Sequence, residues 1–173
     1  MSKVTPAIFK AIRDRLAGDA TLVALLAGGS ANAITFQIPQ PAIDPPTSQY
    51  PRVVLRFLGI ERDETFQTRR YVYTFEVHSF VREEGTSGES TTLTLAKIDE
   101  RIMGDWPESG GAPTYGLDRW NAQTAITAQI GDFSTTFKVE TMLHIATTNA
   151  SDDGSGVREW VQTYRVGLDL TQT

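Results

Sequence analysis

Three stretches decide the fold: Val53-Val54-Leu55-Arg56-Phe57-Leu58, then Tyr71-Val72-Tyr73-Thr74-Phe75-Glu76-Val77-His78, then Leu95-Ala96-Lys97-Ile98-Asp99-Glu100-Arg101-Ile102. The first, read through to Ile60, is apolar on both faces except at Arg56, the pattern of a strand inside a sheet. In the second, Tyr71, Tyr73, Phe75 and Val77 alternate with Thr74, Glu76 and His78, so one face is buried and the other wet. In the third, Leu95, Ile98 and Ile102 recur at helical spacing while Lys97, Asp99, Glu100 and Arg101 face away. That predicts an amphipathic helix from about Ser90 to Gly104. Strand, strand and helix in this order describe a sheet with a helix laid on it.

Outward from this centre the same reasoning fills the chain. Thr5-Pro6 reads as an N-cap followed by proline at the first helical position, and Ile8, Phe9, Ile12 and Leu16 line one face of the helix that follows. Asp19 caps a second short helix through Leu22, Val23, Leu25 and Leu26, which Gly28-Gly29 stops. Ile34 to Ile38 suits a short edge strand, and the proline-bearing stretch from Gln40 to Gln49 a surface loop. Downstream, Phe133 to Ala146 alternates with Phe133, Phe137, Val139, Leu143 and Ile145 inward and Lys138, Glu140 and His144 outward. Val157 to Leu170 carries Trp160, Tyr164, Val166, Leu168 and Leu170 on its apolar phase, and Asp152-Asp153-Gly154-Ser155-Gly156 supplies a hairpin loop between the two. Tyr115 to Ile130 reads as two short strands around Asn121. The expectation is one α+β domain over residues 1–173, a largely antiparallel sheet with two to three helices packed on it.

Composition narrows the function. A 173-residue chain with 40% hydrophobic and 21% charged residues is long and apolar enough for one folded core. No cysteine is present, which excludes disulfides and thiolate metal sites. The first residues lack an apolar signal-peptide core, and no apolar run is long enough to span a bilayer, so no membrane is expected. Sixteen Lys+Arg against 21 Asp+Glu leave a net charge of −5. Tight nucleic-acid binding draws most of its affinity from neutralising phosphates and needs a basic excess, so it is not expected here; letting DNA slip past without gripping it is compatible with this charge.

Chemical motifs are sparse. His78 and His144 are the only histidines, both on the polar phase of their strands; they would be neighbours only if those strands pair, and would make a poor metal site. Gly85-Thr86-Ser87-Gly88 falls one residue short of a nucleophile elbow and reads better as a loop whose Ser90 caps the next helix. Gly28-Gly29 and Gly110-Gly111 lack the Lys-Ser/Thr of a phosphate loop. Asp152-Asp153-Gly154-Ser155 lacks the spaced ligands of a calcium loop. No catalytic, cofactor-binding or metal-ligating residue is assigned, and no cofactor is expected.

Partner contacts are better represented. Glu61-Arg62-Asp63-Glu64-Thr65-Phe66-Gln67-Thr68-Arg69-Arg70 sets one aromatic among mixed charges, an apolar anchor in a polar rim. An ordinary solvated turn is the plain alternative. Glu61, Phe66, Arg69 and Arg70 are therefore candidate contacts, as are Glu83 and Glu84 in the loop after the second strand. Trp106 and Trp120, flanking a glycine-rich segment, are candidate anchors, whereas Trp160 belongs to the core by its phase.

Several segments together resemble the tail-terminator, or tail-completion, proteins of long-tailed bacteriophages and related gene-transfer particles. They are Ile8-Phe9-Lys10-Ala11-Ile12 with Leu16, Asp19-Ala20-Thr21-Leu22-Val23-Ala24-Leu25-Leu26, Tyr50-Pro51-Arg52-Val53-Val54-Leu55, Tyr73–Phe80 and Leu95–Ile102. The likeness is one of order and texture over most of the chain up to Asp105. It implies a non-enzymatic subunit that assembles, by the family's pattern as a hexameric ring, at the head-proximal end of the virion tail. Such a ring ends polymerisation of the tail tube protein, meets neck or head-completion proteins and lets DNA through its hole. Assembly would take place in the host bacterial cytoplasm. A head-side neck or stopper protein is the alternative within this class, and a small serine hydrolase using Ser87 the alternative outside it.

Overall fold

The computed structural model describes residues 4–36, 49–65, 68–83, 88–105, 111, 113–120, 122–130, 133–150 and 156–169. Its elements are helices α1 (Val4–Ala17), α2 (Ala20–Leu25) and α3 (Gly88–Met103), and strands β1 (Ile34–Phe36), β2 (Arg52–Thr65), β3 (Thr68–Arg82), β4 (Ala122–Ile130), β5 (Phe133–Ala150) and β6 (Val157–Asp169). The strands form one sheet in the order β1-β2-β3-β6-β5-β4. Only β1 pairs in parallel, with β2; every other pairing is antiparallel. The expected α+β architecture is what the chain adopts, with β2 inside the sheet and β1 at its edge.

The helices lie on one face. α1 buries Ala7, Ile8, Phe9, Ala11, Ile12 and Leu16, and Phe9 meets Phe36, Phe57 and Phe75 edge-on at 5.9–6.1 Å. This helix touches both edge strands, β1 and β4, so the sheet curls around it. α3 sets Leu95, Ile98 and Ile102, all 0% exposed, against β3 and β6. From the sheet, Leu55, Tyr73, Phe75, Val77, Phe137, Met142, Tyr164, Val166 and Leu168 complete the core. At roughly 25 cal/mol per Å² of buried apolar surface, these aromatic and branched side chains are the main favourable contribution to folding.

Several local expectations change. α1 begins at Val4, ahead of Thr5, whose side chain is buried within the first turn rather than standing outside it as a cap. The charged run after Ile60 is ladder rather than loop: β2 extends to Thr65 and β3 starts at Thr68. The backbone ladder runs through this segment with Asp63 opposite Arg70, Glu64 opposite Arg69 and Thr65 opposite Thr68.

In β5 the pairing slips between Val139 and Thr141 and again between His144 and Ala146. Each extra residue reverses the phase beyond it. Met142 is therefore buried, while Leu143 and Ile145 are 46% and 56% exposed, opposite to the simple alternation. His144 turns to the core face and packs edge-on to Tyr164 at 5.4 Å.

A single strand, β4, stands where two short ones were expected. Its pairing with β5 ends at Ala122–Val139. Beyond that point the turn at Asp118–Arg119 takes the strand's place: Arg119 N–H donates to Met142 O (2.7 Å) and His144 N–H donates to Asp118 Oδ1 (3.0 Å).

The same turn closes α3. The N–H groups of Leu117 and Asp118 donate to the carbonyls of Ile102 and Met103, both at 2.8 Å, giving the helix C-terminus partners it lacks internally. Gly104 and Gly116 cross here backbone to backbone.

Candidate functional site

The candidate contact residues divide between the two ends of the sheet. Asp169 stands opposite both Arg70 of β3 and Lys138 of β5, so the β2–β3 and β4–β5 hairpins turn at the same end. Glu61, 69% exposed on that arm, accepts a 2.5 Å hydrogen bond from the Arg165 guanidinium of β6. Arg69 and Arg70 lie on the returning strand opposite Glu64 and Asp63, and Phe66 falls outside the described residues.

At the other end, Arg82 stands opposite Val157 and α3 begins. Glu83 holds this end together: its carboxylate pairs with Arg158 at 2.5 Å and its N–H donates to Gly156 O at 2.7 Å. Arg158 reaches on to the Thr92 hydroxyl of α3. Glu84 and Trp106, like Gly85–Ser87 and Asp152–Ser155, lie outside the described residues.

Trp120 packs half-buried against the core, with the Arg15 guanidinium 5.7 Å from its ring centroid. Arg15 itself donates to Gly116 O (3.1 Å) and Pro113 O (3.0 Å), fastening the segment after α3 to α1. Burial holds its pKa below the usual guanidinium range, although Asp105 and Asp19 pull it upward. Asp105 in turn accepts from the N–H and hydroxyl of Thr114 and the N–H of Tyr115.

Beside this segment Arg101 makes a two-pronged ion pair with Asp19, at 2.6 and 2.8 Å, and its guanidinium lies 3.4 Å from the Tyr115 ring centroid. Burial would raise the Asp19 carboxyl, but the Arg101 hydrogen bonds and the N–H groups of the α2 N-terminus outweigh it and hold the group below the usual carboxylate range. Asp19 thus caps α2 as expected, accepting from Thr21 N–H, while also joining α2 to α3. An open cleft of about 530 Å³ runs between Asp14, Asp19, Thr21, Arg101 and Tyr115. The arginine at its wall is already engaged by Asp19.

Asp99 and Arg101 were expected to face water, and neither does so freely. Gln162, 1% exposed, donates to Asp99 O (3.0 Å) and Oδ1 (2.5 Å), and the Tyr164 hydroxyl donates to Gln162 Oε1 (2.7 Å). Burial raises the Asp99 carboxyl and the Tyr164 phenol. This network pins α3 to β6.

The two histidines do not come together: β6 separates their strands, and they occupy opposite faces of the sheet. Among the described residues no group of three His, Cys, Asp or Glu is arranged to hold a metal, and no helix is long and apolar enough to cross a membrane. The face of the sheet away from the helices carries Arg56, Glu76, His78, Glu159 and Arg165, with Leu58 and Leu143 exposed beside them. The pairs Arg165–Glu61, Arg158–Glu83 and Arg101–Asp19 join residues 75–104 apart in sequence; only the strand order and helix packing bring them together.

No protein-family model matches the chain, and no curated protein does. Among solved structures, a chain in the virion of a native gene transfer agent particle is similar with a TM-score of 0.58 and 12% sequence identity. The likeness covers 98% of this chain and 99% of that one. It shows a shared fold from end to end.

Proposed function

We propose that the chain is a structural virion protein of the tail-terminator kind. Copies close into a ring, six by the family's pattern, on the head-proximal end of a tail tube; the ring ends growth of the tube and offers its other surface to neck or head-completion proteins. The observation that supports this most is the end-to-end fold likeness to a chain of a gene transfer agent virion, neither chain having an appreciable part left over. A fold by itself hosts many functions, and the order of segments up to Asp105 supplies the second support.

The shape suits a two-sided adaptor. Two hairpins turn at one end of the sheet, and the β5–β6 connection and the start of α3 lie at the other. Head-to-tail contacts between such copies close into a ring when the rotation between neighbours divides a full turn. The arm with Glu61, Phe66, Arg69 and Arg70 is proposed to meet one neighbour in the virion, the end with Glu83 and Glu84 another, and Trp106 and Trp120 to border the contact made by the segment after α3. A net charge of −5 lets DNA slide past without counterion-release affinity.

Added to tube protein that is polymerising in vitro, the purified chain should shorten the tubes and be found at one tube end by labelling. Tubes of unchanged length, with the chain bound to filled heads instead, would assign it to the head side of the neck.

A further inference from the structure

Both ring nitrogens of His78 meet a carboxylate. Nε2 lies 3.0 Å from Glu76 Oε2 on the same strand, and Nδ1 is hydrogen-bonded to Glu159 Oε1 on β6. A neutral imidazole has one N–H donor and one lone pair, so it satisfies only one of two ionised carboxylates. An imidazolium donates to both. The three side chains are only 12%, 20% and 26% exposed, so water is a poor substitute for either bond.

The surroundings are defined on three strands. β2 places Arg52 opposite Phe80, Val54 opposite His78 and Arg56 opposite Glu76, with the Arg56 guanidinium 3.8 Å from the Glu76 carboxylate. β3 contributes Glu76, Arg82 and Phe80, whose ring stacks on the imidazole at 6.1 Å. β6 contributes Glu159, Val161 and Thr163. Cations and carboxylates therefore alternate across the open face as Arg56, Glu76, His78, Glu159.

We propose that His78 is a protonated pin across β3 and β6, and that rising pH withdraws it, leaving two carboxylates against a neutral ring and loosening the open face of the sheet. Burial by itself would lower the pKa of this histidine, but the hydrogen bonds and charges of Glu159 and Glu76 outweigh burial and raise it. The sign follows. The stabilisation is fully present below the ordinary histidine value of about 6.5 and is lost as pH rises through the higher folded-state value. This inference stands independently of the virion reading.

Imidazole nitrogen NMR of the full chain between pH 5 and 9 tests it. Both His78 nitrogens should be protonated at pH 7 and titrate above the ordinary value; a single unprotonated nitrogen at pH 7 overturns the proposal. Melting curves give the second readout. The wild-type melting temperature should fall between pH 6 and 8.5 by more than that of His78→Gln, and equal falls would also overturn it. If His78→Gln does not fold, Glu159→Gln replaces it: its His78 titration should move down towards the ordinary value, and no movement counts against the pin.

Discussion

At Gly116 the chain has no room for a side chain. A Cβ there would stand 2.2 Å from Gly104 Cα and 2.4 Å from Gly104 N, and the residue sits at φ +77°. Gly28 shares the left-handed backbone, at φ +65°, but nothing lies within 4 Å of its Cβ position. The two separate steric collision from backbone strain. Gly28→Ala should cost about 1–2 kcal/mol, the penalty for a left-handed L-residue. Gly116→Ala adds an overpacking term of about 1–3 kcal/mol against backbone that cannot move aside without uncapping α3. Urea denaturation of the two variants should show a clearly larger loss at Gly116; equal losses would mean the crossing is loose.

Neither glycine role was legible locally: Gly28-Gly29 reads as the stop of α2, but α2 already ends at Leu25 with Leu26 as its C-cap and the two glycines form the 3-10 turn that follows, whereas Gly116 looks like any turn glycine until Gly104 is brought against it. The same holds for Asp19. Its cap on α2, at Thr21, is visible two residues away, but its bidentate partner Arg101 is 82 residues downstream.

Among the elements, β5 shows where periodicity informs and where it misleads. Alternation reports burial on one face and correctly marks Phe137 and Val139 as core. Past the first bulge the phase inverts, and no residue type in Glu140-Thr141-Met142-Leu143 announces the extra residue. The paired turn at Asp118–Arg119, supplied by a distant segment, is what accommodates it. Met142→Ala should therefore cost about 2–5 kcal/mol, as for a fully buried side chain. Leu143→Thr should stay within about 0.5 kcal/mol, as for a surface position. Thermal or chemical unfolding checks the contrast, and a reversed order would restore the unbulged strand. The β2–β3 arm carries a related lesson. A run of mixed charges resembles a solvated turn in sequence, yet the ladder continues through it to Thr65 and Thr68. β3 and α3 were legible because their patterns are long and uninterrupted; β2 was legible as far as Ile60 because its run is apolar on both faces, although its register shifts between Phe57 and Gly59.

For the molecule as a whole, one layer of helices covers one face of a curled sheet. Among the described residues no helix packs on the other face, which carries the Arg56–Glu76–His78–Glu159 row and the Arg165–Glu61 pair. The segments that resemble tail terminators and the fold shared across 98% of the chain with a gene transfer agent virion chain are the two supports of the proposed role. Which surface meets which partner was not legible, because contact residues differ from solvated ones only when the partner is present. Electron microscopy of particles assembled with and without this chain decides whether it ends the tail. Absence of a tail terminator leaves overlong, ragged tails lacking heads, restored to uniform length when it is supplied. Tails of normal length in its absence would contradict that role.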